Sequence, residues 1–187
     1  TVLTPQWPEP AIGRDLVHTT AATHGTPVVA APAGWRYRAG TADLVVLGPP
    51  YPMRGTRSDP NNNSLVLLAT VAGVRILLAG DAETEEQQAL REQLPPHGLR
   101  ADVLKVAHHG SAYQDPAFLD AIRPAVALVP VGAGNTYGHP NEAVLARLSR
   151  GGARVLRTDL DGDVAAVLGP SGLAVVSGGV DLSRAKP

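Results

Sequence analysis

The chain alternates short apolar runs with Gly- and Pro-rich breaks, and the period of each run assigns its element. Val28–Ala30, Trp35–Arg38 and Asp43–Leu47 read as short strands, the last stopped by Gly48-Pro49-Pro50. Ser64–Val71 and Val74–Leu78 are rich in Leu and β-branched residues, and Ala72-Gly73 between them signals a hairpin. Asp102–Ala107 predicts a strand that runs straight into His108-His109-Gly110-Ser111, and Ala125–Val131 predicts a buried strand followed by a glycine-rich loop to His139. Arg154–Thr158, Val164–Leu168 and Leu173–Val176 close the chain as strands, with a turn at Asp161-Gly162. Helical spacing appears at Ile12–Thr23, Glu83–Gln93, Pro116–Ile122 and Asn141–Ser149. In the second of these the polar face carries Glu83, Glu86 and Gln87, and the apolar face includes Ala89, Leu90 and Leu94. Tyr51–Asn63 has the composition of a mobile loop. The pattern predicts one α/β (α+β) domain of layered sheets covered by helices, over residues 1–176, with a flexible tail at 177–187.

Composition narrows the chemistry. The 187 residues contain no Cys, which excludes disulfides, zinc-thiolate sites, iron–sulfur clusters and Cys nucleophiles. The formal net charge of -1 gives no global attraction to nucleic acid. Aromatics are 4% of the chain, so the core must be built from Val, Leu and Ala. No apolar run is long enough to span a membrane.

Three candidate sites share one setting, a polar residue where a strand ends. Asp81 follows Val74–Gly80, His108 and His109 follow Val103–Ala107, and His139 follows the loop after Val129. Asp and His without Cys suit zinc, manganese or iron. Asp81 reads either as a metal-bridging carboxylate or as a helix cap. Neighbours on a strand point to opposite sides, so one of His108 and His109 is expected to ligate and the other to orient it or face substrate. Ser111 reads as a phosphate donor or as the cap of a short helix. Asn61-Asn62-Asn63-Ser64 reads as a polar turn or as part of the site, with Asn63 and Ser64 the candidate substrate contacts. No Walker loop, dinucleotide fingerprint, EF-hand or nucleophile elbow is present.

Taken in order, these blocks resemble a known family. Asn61-Asn62-Asn63-Ser64-Leu65-Val66-Leu67, Leu78-Ala79-Gly80-Asp81-Ala82-Glu83, Asp102–Ser111 and Val131–Pro140 together look like the carboxy-terminal metallo-β-lactamase-like hydrolase domain of the ComEC competence proteins. The resemblance implies an αββα sandwich with a divalent metal site, holding manganese or zinc. It implies Asp81, His108, His109 and His139 as metal ligands, with His139 and His109 also as catalytic groups. Asn63, Ser64 and Ser111 would contact substrate. It further implies a parent protein in the cytoplasmic membrane whose channel portion is the partner of an extracytoplasmic nuclease domain acting on single-stranded DNA. The family's first metal motif, His-x-(His or x)-x-Asp-His followed by Gly-Gly, has no counterpart in this sequence, and Thr1–Pro5 resembles the strand after it. The expectation is therefore an N-terminally truncated domain, itself soluble and inactive, with at most one weak ion near Asp81 and a tendency to form a homodimer. Two other readings remain: hydrolysis of small phosphodiesters, and a non-catalytic appendage that binds DNA or a partner protein.

Overall fold

The computed structural model describes residues 1–8, 10–170 and 172–178. Of the expected tail, residues 179–187 lie outside the described residues. The centre is a seven-stranded sheet in which sequence order and spatial order coincide. Its strands are β3 (Arg36–Ala39), β4 (Ala42–Gly48), β5 (Val66–Val71), β6 (Val74–Leu78), β7 (Val103–Lys105), β8 (Val126–Val129) and β9 (Arg154–Arg157). The first four run antiparallel, with two-residue turns joining β3 to β4 and β5 to β6 and the long loop that contains Tyr51–Asn63 joining β4 to β5, and β6 to β9 run parallel. Parallel neighbours need crossovers, and helices α2 (Thr84–Gln93), α3 (Pro116–Ile122) and α4 (Glu142–Arg150) supply them.

Alternation along the strands sends side chains to two faces. Leu77, Leu104, Ala127 and Val129 join the main core, together with Leu90, Phe118, Leu119, Ile122, Val144 and Leu148 from the helices. Ile76, Val103, Val126, Leu128 and Leu156 face the other way. There they meet Val164, Ala166, Leu173 and Val175 of an antiparallel hairpin, β10 (Val164–Gly169) and β11 (Gly172–Ser177). The order helix, large sheet, hairpin is the mixed α/β sandwich anticipated from the sequence. A separate parallel pair, β1 (Val2–Thr4) and β2 (Val28–Ala30), is joined by α1 (Ala11–Thr23). That helix is exposed along nearly its whole length, with Ala21 its one buried residue.

Two expectations change. The residues of the polar face of α2 are wholly buried: Glu83, Glu86 and Gln87 have 0% exposure. Loop backbone around them has no ladder to join, so it needs side-chain partners. Gln87 provides them, donating to Ala82 O (2.7 Å) and to Gln114 Oε1 (2.8 Å) and accepting from Asp115 N (2.7 Å). The loop expected to be mobile, Tyr51–Asn63, is tied down at several points. Asp59 accepts from the Gly55 and Thr56 amides, and Asn63 bonds both backbone groups of Met53.

Candidate functional site

The parallel half of the sheet ends in the turns that carry the candidate residues. After β6 the chain bends at Gly80 (φ 53°), where a Cβ would stand 2.9 Å from Ser64 Cβ. The bend presents Asp81, whose amide donates to Ser64 Oγ at 3.1 Å. Gly80 O receives the His108 amide (3.2 Å) and the Lys105 ammonium (2.5 Å), which fastens the end of β7 to this turn. The same ammonium lies 3.6 Å from Asp81 Oδ1. Burial lowers the Lys105 pKa, and Asp81 works against that shift.

Past β7 the backbone leaves the extended form earlier than the sequence predicts. His108 (φ 44°), His109 (φ 54°) and Gly110 (φ 78°) form a left-handed turn. Left-handed geometry is costly for residues with a Cβ, and consecutive cases occur where surrounding contacts enforce them. The strand rule for neighbouring side chains therefore does not apply. Both imidazoles turn into one cavity of about 470 Å³, which His139, Tyr137 and the Gly132–Thr136 loop also line. The His108 ring centre lies 5.2 Å from that of His139 and 6.1 Å from that of His109.

The hydrogen bonds distinguish the rings. His108 Nδ1 is 3.0 Å from Glu83 Oε1, and His109 Nδ1 is 2.6 Å from Pro130 O. A backbone carbonyl only accepts, so His109 donates from Nδ1 and leaves Nε2 with its lone pair. Burial, together with the His108 and His109 rings, lowers the pKa of His139 from its ordinary 6.5; Asp81 and Glu83 oppose the shift. His139 is therefore neutral at pH 7.

The Asn block serves this site from behind. Asn61 Nδ2 donates to Glu83 Oε1 (2.9 Å), and Asn62 Oδ1 receives the Glu86 amide (3.0 Å) at the start of α2. Asn63, expected to contact substrate, is buried, with its amide group engaged by Met53 and Asp59. Ser111 is likewise buried, and its Oγ accepts from the Tyr113 amide at 3.3 Å rather than facing the cavity. The cap of α3 is Asp115, which receives the Ala117 amide. Ser64 is half-buried against the Asp81 turn.

The donor set is imidazole and carboxylate, the right kind for zinc or manganese. Among the described residues, though, no three His, Asp or Glu side chains converge as a group able to hold an ion. Lys105 stands against Asp81, where a cation would lie. These residues alone do not form a complete metal site.

Glu83, Arg57 and Lys105 are the residues sequence reasoning missed. In the sequence Glu83 falls on the polar face of a helix, and Arg57 in a loop of mobile composition. The signal available was the spacing Asp81-Ala82-Glu83, which places two carboxylates together at a strand end.

No protein-family model matches the chain. Among the described residues no helix is long and apolar enough to cross a membrane. The chain is 39% identical over 120 residues to ComE operon protein 3 of Bacillus subtilis, covering 64% of this chain and 15% of that protein. It is 36% identical over 116 residues to competence protein ComA of Neisseria gonorrhoeae, covering 62% of this chain and 17% of the relative. It is 36% identical over 110 residues to Recombination protein 2 of Haemophilus influenzae, covering 58% and 13%. The chain thus matches less than a fifth of the length of each of these relatives.

Proposed function

We propose that this chain is the DNA-contacting, hydrolase-type domain of a DNA-uptake protein, and that the cavity of His108, His109 and His139 receives a phosphodiester of single-stranded DNA. The observation that carries the reading is the gathering of these three imidazoles, from two separate strand ends, around one cavity beside an exposed aromatic ring. Tyr137 is 85% exposed and lies nearly parallel to the His139 ring, 22° between planes. An exposed ring next to a histidine-lined cleft suits a base stacking beside a backbone contact. Neutral His139 suits proton acceptance, and the His109 Nε2 lone pair suits metal ligation or acceptance of a hydrogen bond. The competence relative and the ComEC resemblance support a role in DNA uptake.

Divalent metal would supply water activation and charge stabilisation for phosphodiester hydrolysis. Asp81, His108 and His139 would contribute to holding it, together with ligands that these three residues do not supply. The parent would reside in the cytoplasmic membrane, with this domain outside it and the channel portion as its partner. The test is binding and cleavage of a labelled single-stranded oligonucleotide by the full-length polypeptide, with and without manganese or zinc. Metal-dependent cleavage that fails in His108→Ala supports the reading.

The incomplete donor group also favours a second reading, a non-catalytic DNA-binding appendage. That reading predicts DNA affinity independent of metal together with no cleavage.

A further inference from the structure

Glu83 is the most heavily engaged side chain near the cavity. It has 0% exposure and stands at the N-cap of α2. Arg57 approaches it as a fork, Nε on Oε2 at 2.9 Å and Nη2 on Oε1 at 2.5 Å. Asn61 adds a third donor at 2.9 Å, and His108 Nδ1 a fourth contact at 3.0 Å. Arg57 is held in turn from two sides. Its guanidinium lies 3.3 Å from the centre of the Tyr113 ring, and its backbone amide donates to Glu85 Oε1 at 2.9 Å.

A carboxylate buried this completely is stable as an anion only when paired and hydrogen-bonded. The guanidinium fork meets that condition, and Glu83 raises the Arg57 pKa in return. An ionised carboxylate offers no proton, so the His108 contact has one possible sense: Nδ1–H donates and Glu83 accepts. The proton on Nδ1 leaves the lone pair on Nε2, and among the described residues no hydrogen bond engages that nitrogen. A carboxylate behind an imidazole fixes its tautomer and ring orientation. The left-handed backbone at His108 fits the same account, because it aims the ring back at α2.

We propose that Glu83, kept anionic by Arg57, is a positioning residue that locks His108 as its Nδ1–H tautomer and presents Nε2 to the cavity. The loop that carries Arg57 is thereby coupled to a histidine on the far side of α2's N-terminus. This deepens the functional reading above and rests on it only in treating His108 as a group that works in the cavity.

The test needs neither DNA nor metal. Nitrogen-15 long-range correlation spectra of the whole chain, recorded at alkaline pH where imidazoles are neutral, report the His108 tautomer directly. The parent should show the Nδ1–H form. In Glu83→Gln the ratio of Nδ1–H to Nε2–H should fall by about tenfold or more, as expected for loss of a charge-assisted bond. A parent with Nε2–H, or a folded Glu83→Gln with an unchanged ratio, overturns the proposal. If Glu83→Gln does not fold, Arg57→Gln carries the test: a shift toward Nε2–H supports the proposal, and an unchanged ratio overturns it. A chain that binds no DNA but shows these tautomers would fail the functional reading and leave the positioning role standing.

Discussion

Gly110 and Pro140 touch so closely that a methyl group on Gly110 would stand 2.7 Å from Pro140 Cβ. The Asn141 amide donates to Gly110 O at 2.7 Å, so the contact is also a hydrogen-bonded one. This single junction binds the His108–His109 turn to the segment that carries His139. It helps to set the spacing of the three imidazoles, of which His108 and His139 meet edge to face.

Gly110→Ala tests the junction. Gly110 sits at φ 78°, and the added carbon also meets Val129 Cγ1 at 3.3 Å. Strain and overpacking of this kind cost about 1–3 kcal/mol each. For a chain of this size about 2–4 °C of melting temperature goes with each kcal/mol. Thermal unfolding should show a loss of several degrees, and the His139 ring resonances should move. An unchanged melting temperature would contradict the contact.

Gln87→Ala tests the buried seam of α2. The substitution leaves the Asp115 amide, Ala82 O and the Gln114 side chain each short of a partner. Unmet buried groups cost about 1–3 kcal/mol apiece. Denaturant unfolding should therefore show a loss of at least about 2 kcal/mol. A loss below about 0.5 kcal/mol, typical of surface positions, would show the seam to be dispensable.

Glu86 makes a pH-dependent prediction. It is fully buried against Gly48, and neither carboxyl oxygen has a hydrogen-bond partner. Burial pushes its pKa well above the ordinary 4.5. A carboxyl with a raised folded pKa binds its proton more tightly in the native state. Its contribution to stability is complete below the unfolded pKa and is lost as pH rises through the folded one. Glu86→Gln removes the titration. Its melting temperature should gain on the parent's as pH rises above 4.5. A difference that stays constant across that range would contradict the account.

Tyr137 tests the stacking platform. Tyr137→Ala should weaken binding of a single-stranded oligonucleotide by about 1–3 kcal/mol, roughly 5- to 150-fold, at fixed salt. Tyr137→Phe should retain it, because the face of the ring and not its hydroxyl makes the contact. Neither change should alter stability at so exposed a position. Equal affinity in all three proteins would remove Tyr137 from the interface.

The strands were readable because burial imposes strict alternation, and Leu77 with Ile76 or Leu104 with Val103 divide between the two faces as period two requires. Asp81, His108, His109 and His139 stand out in the sequence because each follows such a strand, and the structure brings the three histidines to one cavity. What escaped was everything that depends on tertiary partners. Glu83, Glu86 and Gln87 read as a polar face, and sequence cannot show that loops will press on them and need their hydrogen bonds. The left-handed turn at His108 and His109 was equally hidden: neither residue favours it, and the Gly80, Glu83 and Pro130 contacts that hold it are far away in sequence. Asn63 and Ser111, expected to contact substrate, are buried, which the sequence does not reveal because it depends on the loops that cover them.

The most direct test of the functional account is a cleavage assay on the full-length polypeptide. It uses a 5′-labelled single-stranded DNA oligonucleotide, added manganese or zinc, and a chelator control. The account predicts cleavage that needs the metal and drops at least about a hundredfold in His108→Ala, the scale on which removing a group that stabilises a transition state acts. No cleavage by a metal-loaded protein, with DNA affinity the same whether metal is present or absent, would contradict it.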